Sequence, residues 1–200
     1  VSIVCKRETR WALLCRKDCL GRASLRAMDG YLARLRNLLG ERDPLDVLRN
    51  TPTHLQAILD DPRFDPDEEW REGGWTGRAI VAHLTDQEIG FSFRARQTVA
   101  DAGLSDPDSD ESPAAHLVQP YDQDAWAKDY GRMDPALAVA AFTALRMWNL
   151  AWLARLDLQG WLATYYHPER DVTETVDDFV RFLAGHDLNH LEQLGAILDS

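Results

Sequence analysis

The stretch TETVDDFVRFLAGHDLNHLEQLGAIL, residues 173–198, decides the fold. Thr173, followed by Glu174 and Asp177, reads as a helix start, because a threonine hydroxyl caps free backbone N–H groups and acids favour the positive end of the helix dipole. The helix should run to about Leu198. Within it stand His186 and His190, four residues apart, so both imidazoles project from one face and can grip a single metal ion.

Two imidazoles hold a metal weakly, and a third should come from another helix. Thr76 reads as the cap of a helix from about Gly77 to Asp101, with Ile80, His83, Leu84, Gln87 and Phe91 at three- and four-residue spacing. His83 therefore lies on a buried stripe. Three neutral imidazoles leave one coordination position for water or substrate, the arrangement of catalytic zinc sites. The plainer alternative is a hydrogen-bonded core histidine and a chance pair. Asp86, Glu88, Asp187 and Gln193 are candidate acceptors for the remaining imidazole N–H groups, Asp86 and Gln193 being on the matching helix faces.

The rest of the chain from Met28 onward reads as all-α, with no convincing alternating strand. A short helix is expected over Asp29–Leu39. A first core helix follows Asp43-Pro44 to about Leu59, with Pro52 expected to kink or split it. Residues 60–74 form a loop. Residues 103–120, rich in Asp, Ser and Pro, form a long loop with the character of a lid. A short helix is expected over Asp124–Tyr130. A third long helix runs from Asp134-Pro135 to about Asp157, packing through Leu137, Phe142, Leu145, Trp148 and Trp152. Four such helices make a four-helix bundle with short additional helices and a long loop between the second and third core helices.

With 200 residues and 45 % hydrophobic content, the chain suits one domain. A net charge of -11 argues against nucleic acid and anionic membranes, both of which call for clustered Lys and Arg. Charged residues break every apolar run, so no membrane span is expected. Residues 1–27 differ: Lys6, Arg7, Arg10, Arg16, Lys17, Arg22 and Arg26 outweigh Glu8 and Asp18, a net of about +5 that leaves about -16 on residues 28–200. This segment reads as a loosely attached extension, with a transit-like role as the alternative. Cys5, Cys15 and Cys19 lie within it, and Cys15 with Cys19 lacks the second pair of a tetrahedral zinc site. The domain then has no cysteine for disulfides, which fits a reducing, cytoplasmic setting.

Two established metal motifs do not fit. Zincins need Glu directly after the first histidine, and this chain has Asp187, one methylene too short to reach the same water. Di-iron bundles need inward Glu residues and repeated Glu-x-x-His pairs.

The chain from about Pro44 to Leu198 instead resembles the DinB-like (damage-inducible) metal-binding four-helix proteins. The resemblance is carried by Trp75 with the string His83-Leu84-Thr85-Asp86-Gln87-Glu88, by Arg94, and by Tyr121-Asp122-Gln123-Asp124-Ala125-Trp126. Phe142 with Arg146, His167-Pro168, and His186-Asp187-x-x-His190-x-x-Gln193 complete it. It implies that His83, His186 and His190 bind one divalent metal ion, zinc or nickel foremost. It also implies a homodimer, while the acidic charge points to a small-molecule substrate or a protein partner.

Relatives include transferases of low-molecular-weight thiols, so the first expectation is a metal-dependent enzyme that activates a thiol cosubstrate for transfer to an electrophile. The alternatives are a metal-dependent hydrolase, with Asp86 as proton acceptor, and a non-catalytic metal-binding stress protein. An anionic thiol would call for a cation near the metal, with Arg94, Arg96 and Arg146 as candidates. Trp75, Trp126, Trp148, Trp152 and Trp161 either line the pocket or pack the core.

Overall fold

The computed structural model describes residues 22–103, 116–118, 123–168 and 170–200. The three cysteines, most of the basic N-terminal segment, most of the expected lid and the Tyr121-Asp122 pair lie outside them. Helices α1 (Arg22–Leu39), α2 (Pro44–Asp60), α3 (Gly77–Gly103), α4 (Gln123–Ala127), α5 (Pro135–Leu153), α6 (Leu158–Leu162) and α7 (Val176–Leu198) make up most of the fold. A 3₁₀ turn over Tyr130–Arg132 follows α4.

The bundle consists of α2, α3, α5 and α7. Its principal contacts run α2–α7, α7–α3, α3–α5 and α5–α2, which close a ring. Helices consecutive in the chain, α2 with α3 and α5 with α7, thus lie across diagonals, which requires the long connections 61–76 and 154–175. Helix α1 packs outside this ring on α7. It is longer than the sequence suggested, and the boundary expected at Met28 falls inside it.

Where α1 crosses α7 the backbones nearly touch: a Cβ on Gly185 would lie 2.6 Å from the Leu35 carbonyl oxygen. Glycine is required there by space, and backbone rather than a movable side chain is the obstacle. Gly185→Ala should destabilise the protein by about 1–3 kcal/mol through overpacking, read as a lower thermal midpoint. An unchanged midpoint would show that α1 shifts freely on α7.

Local capping chemistry sets the helix starts. Asp43 accepts from Leu45 N at 2.7 Å and Asp46 N at 3.3 Å, with Pro44 in the first helical position. Asp134 does the same for α5, accepting from Leu137 N at 2.8 Å. Thr76 Oγ1 accepts from Ala79 N at 3.3 Å at the start of α3.

Four expectations need correction. Pro52 does not split the first core helix, because α2 continues through it to Asp60. Proline deprives the Leu48 carbonyl of its usual N–H donor, and Arg146 Nη1 supplies the missing bond at 2.8 Å. The cap of the last helix is Thr175, not Thr173: Asp178 N donates to Thr175 Oγ1 at 3.1 Å and Thr175 N to Asp178 Oδ2 at 3.0 Å.

Thr173 belongs instead to a small sheet absent from the sequence reading. Its strand β3 (Val172–Thr175) runs antiparallel to β2 (Thr164–His167), and β1 (His116–Leu117) pairs in parallel with β2. Thr, Tyr and Val favour such strands, but runs of four residues fall below what alternation can reveal.

Finally, α5 ends at Leu153, and Leu137 and Trp148, expected inside, are 66 % and 65 % exposed. By length and composition alone α5 could cross a membrane. Its single charge, Arg146, is buried in the bundle.

Among the described residues the core has two large apolar clusters and a small third one around Ala79, Ala82 and Tyr130. Of the large two, one surrounds Phe91, Leu153, Phe179 and Leu183, the other Leu84, Phe142 and Leu194. Between them, on each of three helices, stand buried polar residues: Glu88 on α3, Arg146 with Asn149 on α5, and Asp187 on α7.

Candidate metal centre

The first turns of α3 and the middle of α7 bring His83, His186 and His190 together as their spacing suggested. They are 1 %, 4 % and 6 % exposed. His186 is central, its Nε2 lying 3.0 Å from His83 Nε2 and 3.1 Å from His190 Nε2. One N–H cannot point along both contacts, whereas a cation between three lone pairs satisfies them all. Zinc–nitrogen bonds of 2.0–2.1 Å at tetrahedral angles would place such nitrogens about 3.3 Å apart, close to what is seen.

The protonation states agree. Burial, with help from His190, pushes His83 down to about 3. Burial pulls His190 down to about 4, against the opposing effects of Gln193 and Asp187. His186 is pushed well below its ordinary value by burial, then by His190, His83 and Arg146. All three are neutral at pH 7 and present lone pairs, as metal ligands must.

Of the four expected imidazole acceptors, only Gln193 serves. His190 Nδ1–H donates to Gln193 Oε1 at 2.8 Å, which leaves Nε2 free to face the cluster. Glu88 and Asp187 are turned away from that role by Arg146, which donates to Glu88 Oε1 at 2.7 Å and to Asp187 Oδ2 and Oδ1 at 2.6 and 3.2 Å. The guanidinium outcompetes an imidazole because it delivers charge and a planar fork together. Asp86 stands outside the three-histidine set and is half-buried; burial raises its pKa, while a hydrogen bond from Tyr130 works the other way.

Aromatic rings wall the centre. Trp75 stacks on His190 with centroids 6.4 Å apart and meets His83 edge-on at 4.9 Å. Tyr130 lies 6.2 Å from His83 and Phe182 5.9 Å from His186. For Trp75 the sequence left pocket lining and core packing open, whereas Tyr130 in this role and Phe182 were not anticipated. Nothing local marks them, since Tyr130 arrives through a 3₁₀ turn far along the chain from His83. Trp126 is 45 % exposed, and Trp148 and Trp152 stack beneath Arg96 at 5.5 and 4.7 Å. His167, on β2, is not part of the cluster. Burial pushes it down to about 4, assisted by Arg170 and Arg94.

Known proteins share this fold. The model of the DinB superfamily matches residues 26–194. A Bacillus subtilis protein, provisionally named metal-dependent hydrolase YfiT, is 26 % identical over 155 residues, spanning 75 % of this chain and 79 % of that protein. A Bacillus pumilus protein with the same provisional activity is 23 % identical over 158 residues, spanning 77 % and 82 %. The solved structure of Bacillus subtilis YfiT, described as having an unusual four-helix bundle topology, matches with a TM-score of 0.67 at 20 % identity, covering 91 % of this chain and 90 % of that one. Since the family match runs from α1 into the last turns of α7 and takes in all three histidines, this chain belongs to the DinB superfamily.

Proposed function

We propose that the protein is a metal-dependent hydrolase whose single divalent ion, zinc or nickel, is held by His83, His186 and His190. The observation that carries the reading is the convergence of three buried, neutral imidazoles whose ligand atoms all lie within 4.8 Å of one another. A divalent ion held there supplies Lewis acidity, enough to ionise water near neutral pH. In this reading Asp86 takes the proton: it follows His83 by three residues on α3, Tyr130 beside it lies 6.2 Å from His83, and its raised pKa makes it a better acceptor than an exposed carboxylate. Trp75, Tyr130 and Phe182 limit bulk water around the histidines.

Hydrolysis is preferred to thiol transfer because of the cations. Arg146 is committed to two carboxylates, and Arg96 lies over Trp148 and Trp152. Arg94 is close enough to His167 to depress its pKa. The provisional names of the two Bacillus relatives support the same choice.

The test is turnover of activated carboxylic and phosphate esters by metal-loaded protein, with and without a chelator and with and without added glutathione or cysteine. Hydrolysis that disappears on chelation and ignores thiols is expected. Turnover that requires the thiol overturns this reading in favour of thiol transfer to an electrophile. Asp86→Asn should lower kcat by roughly 10²–10⁴-fold, the usual range for a lost general base, with metal content unchanged.

A further inference from the structure

The polar layer between the two large apolar clusters has no place in the proposed chemistry, yet it is buried as deeply as the apolar core around it. Glu88 and Asp187 are 0 % exposed, and Arg146 and Asn149 are 1 % exposed. Arg146 makes a two-pronged pair with Asp187, a second pair with Glu88, and a bond to the Leu48 carbonyl at 2.8 Å. Asn149 Nδ2 donates to Glu88 Oε2 at 3.0 Å. One guanidinium thereby ties together α2, α3, α5 and α7.

We propose that Arg146 is a positioning residue for the three-histidine centre, setting the rotation of α3 and α7 so that His83 meets His186 and His190. This rests on reading the histidines as a metal centre. Asp187 directly follows His186, and neighbouring helix side chains point about 100° apart, so holding Asp187 toward α5 fixes where His186 points. Glu88 does the same for His83 from just over a turn away on α3.

Removing the guanidinium would leave two buried carboxylates from α3 and α7 facing each other, and their repulsion would separate the helices that carry the ligands. Buried ion pairs seldom outperform an apolar core in stability, so the contribution here is to geometry. Pro52 reinforces the design, because by removing an N–H it leaves the Leu48 carbonyl open to Arg146 and brings α2 onto the same hub.

The test uses the full chain, with cobalt(II) as probe. Arg146→Lys keeps the charge but loses the fork; it should bind cobalt roughly tenfold or more weakly, as loss of a group that orients metal ligands does, with altered visible bands. Leu55→Ala, a core truncation outside the network, should lower the thermal midpoint without changing affinity or bands. Adding Pro52→Ala to Arg146→Met gives the Leu48 carbonyl a donor, so stability should recover in part while affinity does not.

If Arg146→Met does not fold, Asp187→Asn replaces it, with the same weakening of cobalt binding expected. Unchanged affinity and bands in Arg146→Lys, or affinity restored by Pro52→Ala, would overturn the proposal. Imidazole ¹⁵N shifts of metal-free protein provide a second readout, expected to change at His83 and His186 in Arg146→Lys. Failure of the unsubstituted protein to bind cobalt would count against the metal reading alone, and unmoved shifts against Arg146.

Discussion

His186→Ala is expected to empty the metal centre, taking bound zinc or nickel from about one equivalent to a level that does not survive gel filtration. The loss follows from position. His186 Nε2 lies within 3.1 Å of both other Nε2 atoms, so its removal leaves His83 and His190 without the nitrogen that bridges them. Affinity should fall by more than the 10–100-fold typical of groups that merely orient a ligand, and further than in His83→Ala or His190→Ala. A second readout is thermal. Free ion at about a thousand times Kd stabilises the folded state by about 4 kcal/mol, or about 8–16 °C for a chain of this size, and the variant should show no such shift. Far-UV dichroism should remain helical. One equivalent of metal retained by the variant would refute the site.

What was legible in the sequence was what local chemistry decides. The i, i+4 histidine pair, the Asp-Pro starts of α2 and α5, and Thr76 before α3 are each read within a few residues of where they act. What was not legible depends on partners distant in the chain. Pro52 looked like a break because the donor that repairs α2 comes from Arg146 on α5. Glu88 and Asp187 looked like imidazole partners because they adjoin the histidines, but their partner lies on another helix. Helix α5 shows a different limit. It is apolar nearly all round, so periodicity does not distinguish its inner face, and Leu137 and Trp148 were assigned inward although both face solvent. The small sheet escaped for want of length, and with it the true cap, Thr175, at its junction with α7.

Metal-free protein should lose stability steeply as pH falls from about 6.5 toward 4, and the three histidines set the sign. In the unfolded chain each takes up a proton near the ordinary imidazole value, about 6.5. In the folded protein His190 stays neutral to about 4 and His83 to about 3, chiefly because both are buried, and His186 is held well below the ordinary value by the same cause. Above pH 6.5 neither state binds these protons and the histidines make no difference. Below it the unfolded state binds more, so stability falls with pH by up to about 1.4 kcal/mol per unit for each histidine. The combined loss at pH 5 is on the order of 5 kcal/mol, comparable to the whole stability of many domains. Asp86 opposes the trend slightly, because a carboxyl with a raised folded pKa favours the folded state as pH falls. Urea midpoints measured in chelator between pH 8 and 4.5 should show the slope; His167, also pushed down to about 4, adds to it, so His190→Gln should flatten it by about a quarter if the four histidines share it equally. A midpoint unchanged between pH 7 and 5 would contradict the neutral, buried triad. The same physics extends to the ion: a centre already deprotonated releases few protons on binding, so zinc affinity should stay nearly level with falling pH over the range where the metal-free protein is folded, where exposed imidazoles would lose theirs to protonation.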